Sequence, residues 1–202
     1  MECQMNFKIG LFSLTFLFAA FLFAGEGTVK SKTLVVYFSR TGENYAVGNI
    51  SEGNTAVLAK MIAEKVSADL FEVKPQKIYP EGYQECTEVA KAEREQKARP
   101  AYKGDVNTAP YDTVFVGYPI WWGDVPMVMY HFLEKHDLNG KVIVPFCTHE
   151  GSGSNGTATI IQEIFKQATV KSPLEIRGET AQKARGDAEK EVENFLKTLN
   201  GD

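Results

Sequence analysis

Three short stretches of this chain carry residue types suited to holding a ligand. The first is FSRTGENYAVGNISEGNT, residues 38–55. Ser39, Thr41 and Gly42 open it and Asn54 and Thr55 close it. Without the intervening Glu43 to Gly53 it would read S-R-T-G-N-T. Hydroxyls and a glycine ahead of the free N–H groups of a helix start suit a phosphate. No G-K-[ST] follows, so this is not a Walker loop, and the lack of G-x-G-x-x-G argues against a dinucleotide pyrophosphate. Plain helix capping by the same residues, with Asn54 or Thr55 as the cap, is the alternative.

The second stretch is Pro119, Ile120, Trp121, Trp122, Gly123 and Asp124, and it holds both tryptophans of the protein. Adjacent residues of an extended loop point opposite ways, so one indole is expected to face a planar ligand. Gly123 lets a backbone approach closely. The third stretch is Thr148, His149, Glu150, Gly151, Ser152 and Gly153, small and polar enough to pass beneath a flat ring. The His149-Glu150 pair lacks the H-E-x-x-H spacing of a metal site. One phosphate site and one planar site together point to flavin mononucleotide (FMN).

The elements that must position these loops follow from periodicity. KTLVVYF, Lys32 to Phe38, reads as a buried strand. Val57, Leu58, Met61, Ile62 and Val66 fall on one helical face. ADLFEVKP is a second strand, stopped by Pro75. Tyr83 to Arg99 is charged and weakly amphipathic, an exposed helix ended by Pro100. Tyr111 to Pro119 is a third strand. Val128, Met129, Phe132, Leu133 and His136 mark a helix stopped at Asn139-Gly140. KVIVPFCT is a fourth strand, and a helix runs through Ile160 and Phe165. TVKSPLEIRG is a fifth strand, and Ala188, Val192, Phe195 and Leu199 mark the last helix. Such alternation implies an α/β doubly wound parallel sheet in three layers. In that architecture ligands bind at the strands' carboxyl ends, where all three loops emerge.

The bulk properties agree with one soluble domain and an appendage. The chain has 202 residues, 44% hydrophobic and 24% charged, with a net charge of −4. No basic stripe is present, which argues against a nucleic-acid partner. Of three cysteines, Cys86 and Cys147 lie in the domain, and both are expected to be buried thiols. The appendage is residues 1–24, in which Lys8 precedes an uncharged run from Ile9 to Ala24. A bilayer span needs roughly 20 residues, so the shorter run reads as a secretory signal, with an uncleaved membrane anchor as the alternative. No twin arginine precedes it, so export would be of the unfolded chain. The expected location is exported, periplasmic or extracellular, with membrane contact only through this segment.

YFSRTGENY, GNT, ARPAY, YDTVFVGYPIWWGDVP, GKVIVPFCTHEGSGSNG and IRGE together resemble the flavodoxins, specifically the bacterial short-chain subgroup with an extended first loop. The resemblance covers nearly all of residues 32–200. It implies a five-stranded sheet in the order 2-1-3-4-5 with FMN at the strand ends. It further implies that the split first loop still holds the phosphate, while the insert, with Tyr45, arches over one side. Two departures stand out. The charge is milder than in ordinary flavodoxins, and THEGSG lacks the tyrosine that stacks on the ring in many of them. The stack would then come from Trp121 or Trp122 alone, leaving one ring face open. Three functions are compatible: an FMN electron carrier, an FMN-dependent NAD(P)H:quinone-type reductase, and a binding domain without flavin. The partner would be a redox protein or a small electron acceptor.

Overall fold

The computed structural model describes Met1 and residues 32–199. The expected leader therefore lies outside the described residues. Six strands form the main sheet among the described residues, and five make its continuous path: β1 (Thr33–Tyr37), β4 (Asp69–Glu72), β7 (Thr113–Pro119), β8 (Val142–His149) and β10 (Leu174–Arg177). Their spatial order is β4-β1-β7-β8-β10, and every pairing is parallel. This is the expected 2-1-3-4-5 order. The chain leaves β1 for one side of the sheet, then returns to build the other side. The order therefore reverses beside β1, and a crevice opens there at the carboxyl ends.

The two-residue period of the strands divides the core. Leu34, Val36, Phe38, Val114, Val116 and Tyr118 face one side. They pack with Val128, Met129, Phe132 and Leu133 of α3 (Met127–Lys135) and Ile161 of α4 (Thr157–Ile164). Val35, Tyr37, Phe115, Val144 and Phe146 face the other side. There they meet Val57, Leu58 and Ile62 of α1 (Asn54–Val66) and Ala188 and Val192 of α6 (Arg185–Leu199). Cys86 and Cys147 are buried free thiols, and burial pushes the Cys147 thiol up to about 12.

Several boundaries differ from the sequence reading, each for a local reason. The inserted loop is a hairpin, β2 (Gly42–Asn44) and β3 (Gly48–Ile50), turned at Tyr45–Val47. The second strand splits. β4 stays in the main sheet, while β5 (Lys74–Pro75) pairs antiparallel with β6 (Tyr102–Lys103). Helix α2 covers Tyr83–Glu95 and stops short of Arg99. Lys97 adopts φ +50°, with Lys97 N–H bonded to Arg94 O and Ala98 N–H to Glu93 O, a Schellman closure. Helix α3 ends at Lys135, and His136 is already extended. The fifth strand breaks at Pro173, which has no N–H to give the ladder. β9 (Thr169–Val170) and β10 both pair with β8, either side of that break. A short helix, α5 (Gly178–Lys183), precedes α6 and was not expected.

Candidate functional site

At the carboxyl ends of β1, β7 and β8 lies a cavity of about 460 Å³. Its floor begins at the split loop. Gly53, not Asn54 or Thr55, is the N-cap of α1, and no side chain of its own segment caps the helix. The cap comes from across the split: Ser39 Oγ accepts the Ala56 N–H at 3.0 Å. The two arms touch so closely that a Cβ on Gly53 would fall on Ser39 Oγ and lie 2.5 Å from Arg40 O. Ser39 thus serves the third N–H of the helix and leaves those of Asn54 and Thr55 without an intrahelical partner, which is the arrangement that binds anions. Thr55 is buried, and its hydroxyl bonds that of Thr148 at 2.8 Å, tying this turn to β8.

Arg40 sets the outer wall. It is 9% exposed, and its guanidinium donates to four main-chain oxygens: that of Glu43, those of Pro80 and Glu81 at 2.6 Å each, and that of Gly82 at 3.2 Å. These join the hairpin to the start of α2. Glu43 adds an N–H to Glu81 O at 2.9 Å and a carboxylate that accepts the Tyr83 N–H at 3.0 Å. The α2 face made by Tyr83, Cys86, Thr87 and Ala90 then walls the cavity, at i, i+3, i+4, i+7 spacing.

The tryptophan loop closes another side. Trp121 is half-buried and stands edge-on to Phe38 and Tyr79, with centroids at 5.2 and 5.0 Å. Trp122 is 50% exposed at φ +51°, and its indole N–H donates to Thr87 O at 2.9 Å. The indoles do part ways, yet both residues line the cavity. In the third loop, His149 Nδ1 accepts the Gly151 N–H at 3.0 Å, so the ring proton sits on Nε2. Burial holds this imidazole below its ordinary value.

Among the sequence-predicted residues, Asn54, Pro119, Ile120, Trp121, Trp122, Thr148, His149 and Glu150 line the cavity. Ser39, Thr41, Gly42, Thr55, Gly123, Gly151, Ser152 and Gly153 do not. Ser39 and Thr55 brace it from behind, and Thr41 is exposed. Gly42, at φ +83°, starts the hairpin. Gly123 O accepts the Asn155 amide at 2.6 Å. Gly151 closes on His149, Ser152 donates to Gly153 O at 3.1 Å, and Gly153 turns beside the Glu175 carboxylate. Tyr45 of the insert lines the cavity too, and the sequence reading missed Arg40, Asn44, Tyr83, Gln84, Cys86, Thr87 and Ala90 as lining residues. The α2 spacing was a usable signal, masked by charge on the rest of that helix.

Residues 32–185 match the flavodoxin family model. The chain belongs to the flavodoxin family. Among solved structures it is similar to a chain from Bacteroides eggerthii assigned as a flavoprotein, at 30% identity and a TM-score of 0.67, covering 84% of this chain and 98% of that one. A counterpart from Bacteroides uniformis aligns at 29% identity and a TM-score of 0.62, covering 77% and 98%. A Lactobacillus acidophilus flavoprotein, solved in complex with FMN, shares the fold at 20% identity and a TM-score of 0.57, covering 74% and 95%. No curated protein matches the sequence significantly.

The residues of this flavodoxin family member fit a ligand with an anionic end and a planar end. Arg40 Nε, Asn54 Oδ1 and Glu150 Oε2 are buried side-chain atoms without a partner in the protein. All three belong to residues that line this one cavity. The start of α1 offers its free N–H groups to the anionic end, and the tryptophan loop offers aromatic faces to the planar end.

Proposed function

We propose that this chain is an FMN-binding flavoprotein that transfers electrons. The observation that carries the reading is the cavity at the point where strand order reverses, with the start of α1 and the tryptophan loop in its walls. Family membership and the FMN complex of the Lactobacillus relative support it. Bound FMN would supply one- and two-electron transfer. The chain supplies the setting. The N–H groups of Asn54 and Thr55 receive the phosphate at the start of α1. Trp121 and Trp122 offer aromatic faces to the ring, and His149 offers an Nε2–H. The hairpin, held by Arg40, screens the phosphate end from water.

A second reading, an FMN-dependent reductase of small planar acceptors, is favoured by one observation. Tyr45, Tyr83 and Trp122, 62%, 38% and 50% exposed, all line the cavity. Exposed aromatic faces beside such an opening suit a flat molecule. The N-terminal run is proposed as an export signal, so that the domain folds and takes up flavin outside the cytoplasm. Sequencing the N-terminus of the mature form from fractionated cells tests that.

The cofactor assignment is tested by the visible spectrum of the purified protein and mass spectrometry of the released cofactor. FMN is expected. FAD, or no flavin after reconstitution with FMN, would sink the assignment. Steady-state NAD(P)H oxidation with a quinone separates reductase from carrier.

A further inference from the structure

Tyr79 joins the cavity wall to a carboxylate of α2. Its ring is buried and meets Trp121 edge-on, with centroids 5.0 Å apart and the planes at 89°. Its hydroxyl donates to Glu93 Oε2 at 2.7 Å. Trp121 lines the cavity, while Glu93, in the last turns of α2, is half-buried and reaches solvent. Indole, phenol and carboxylate therefore form one continuous row leading from the cavity wall to water. Phe38 packs on both rings, 5.2 Å from Trp121 and 5.7 Å from Tyr79 between centroids. It fixes their angle and carries no readily oxidised group. Trp122 stands outside the row. Its indole N–H goes to Thr87 O at 2.9 Å, and Lys91 Nζ lies over its ring at 5.7 Å.

Each member suits the passage of an oxidising equivalent. Indole and phenol give up one electron more readily than a phenyl ring does. Electron tunnelling weakens steeply with distance, and two rings in edge contact leave almost none to cross. A phenol keeps its proton until it is oxidised and then becomes a strong acid, so its oxidation is fast only where a base is already hydrogen-bonded to it. Glu93 is placed as that base. Burial pushes its carboxyl above the ordinary glutamate range, while the Tyr79 hydrogen bond and the charge of Lys77 act the other way and favour the ionised form. Burial, and then the Glu93 carboxylate, raise the Tyr79 hydroxyl, so the proton stays on the phenol in the resting protein.

We infer that Trp121, Tyr79 and Glu93 conduct an oxidising equivalent out of the cavity, with the Tyr79 proton passing to Glu93. The inference rests on the flavin reading above for its oxidant, a light-excited oxidised flavin. Trp121 gives that acceptor one electron and becomes a radical cation. Tyr79 then returns one electron to Trp121. The Tyr79 O–H bond breaks, and the proton bonds to Glu93 Oε2. In balance, one electron has moved from Tyr79 to the acceptor and one proton from Tyr79 to Glu93, which leaves a neutral phenoxyl radical and a carboxylic acid. The oxidised position has moved from the indole that faces the ligand to a buried phenol.

Pulse radiolysis of the full-length protein without flavin, with the azide radical as one-electron oxidant, tests the row directly. Trp122→Phe serves as the parent, because it leaves Trp121 as the sole tryptophan. The Trp121 radical is expected to decay at a rate independent of protein concentration, while a phenoxyl radical grows in at that same rate. Tyr79→Phe is expected to abolish this matched phase. Glu93→Gln keeps an oxygen for the phenol but supplies no base, and should slow the phase about a hundredfold, the low end of what a positioned base contributes. A purely structural Tyr79–Glu93 bond would leave the rate unmoved in Glu93→Gln. That result would overturn the inference, as would a matched phase that persists in Tyr79→Phe or is missing from the parent. Flash excitation of the FMN-loaded protein is expected to give the same phenoxyl radical, and Tyr79→Phe to remove it. If FMN did not bind, or gave no phenoxyl radical, the named oxidant would be overturned, while a matched phase in the flavin-free protein would still uphold the row.

Discussion

The first loop and the tryptophan loop wall the same cavity, but different physics holds each in place. The first loop carries its insert away from the sheet as a hairpin. It is anchored almost entirely by polar contacts: the Arg40 fan, Glu43 on the start of α2, Lys183 Nζ on Ala46 O at 3.0 Å, and Gln182 on Glu52 O at 2.6 Å. The tryptophan loop leaves β7 directly and inherits the apolar core. Trp121 packs against Phe38 and Tyr79, and Ile120 N–H bonds Thr148 O at 2.8 Å. Lengthening a loop costs little entropy, but a long loop that leaves the core has little apolar area to bury. Its order then depends on hydrogen bonds to main chain, which are directional and are lost together when their common donor is removed.

Arg40 is that common donor, and Arg40→Met is the sharpest way to break the comparison. The substitution removes the shared donor of Glu43, Pro80, Glu81 and Gly82 oxygens, and while Glu81 O keeps the Glu43 N–H and Gly82 O the Cys86 N–H, Pro80 O is left without its donor. A hydrogen bond to a charged group is worth about 1.5–3 kcal/mol, and a loss near the upper end is expected here, because one guanidinium serves four carbonyls. Urea denaturation measures it. Hydrogen exchange should speed up across the hairpin and the start of α2, and hold steady in the tryptophan loop. Equal loosening of both loops would contradict the separation drawn here.

The tryptophan pair sharpens the comparison from the other side. Trp121→Ala removes half-buried aromatic packing and should cost about 2 kcal/mol of stability, somewhat below the range for fully buried aromatics. Trp122→Ala touches an exposed ring and a left-handed backbone position, so its stability should move by about 0.5 kcal/mol or less. Flavin affinity should reverse the ranking, with Trp122→Ala losing about 1–3 kcal/mol if its ring stacks on the ligand. Parallel melting and flavin titration check both. Equal stability losses in the two variants would show that Trp122 is a packing residue.

The same division explains what could be read in the sequence. The sheet order, both helical layers and the core followed from period-two and helical patterns, because buried apolar residues have few other places to go. The tryptophan loop and Thr148–Glu150 were found because they follow directly from strands. Arg40 stands within the phosphate turn, yet its role is not legible there, since three of its four partners are carbonyls some forty residues away, and main-chain acceptors leave no mark on residue type. The capping of α1 by Ser39 was missed for a related reason. Caps are sought immediately before a helix, and here the cap is supplied across an insert. The wall formed by α2 was hidden among its charges. The turning of Gly151–Gly153 away from the cavity depends on Glu175, in a different strand, which spacing within the loop could not reveal.

The smallest expected effect concerns the outer tie of the hairpin. Glu52, just after β3, accepts from Lys60 Nζ at 2.6 Å and from Arg185 Nη2 at 2.7 Å. These contacts, with Lys60 the larger, hold its carboxyl below the ordinary glutamate range. A lowered folded value means that the ionised form is favoured by folding. The contribution is complete above the ordinary glutamate range and is lost as the pH falls through the lowered folded value. Both cations are more than half exposed, so water and salt screen the pair and the whole effect stays under about 1 kcal/mol. It should nevertheless be local. Acidification from pH 6 to about 3.5 should speed hydrogen exchange, corrected for its intrinsic pH dependence, at Gly48–Ile50 before the tryptophan loop responds. Added salt at pH 6 should reproduce part of the change. In Glu52→Gln the acid response of the hairpin should shrink, because the substituted amide carries no charge to lose. An undiminished response in that variant would place the titrating group elsewhere.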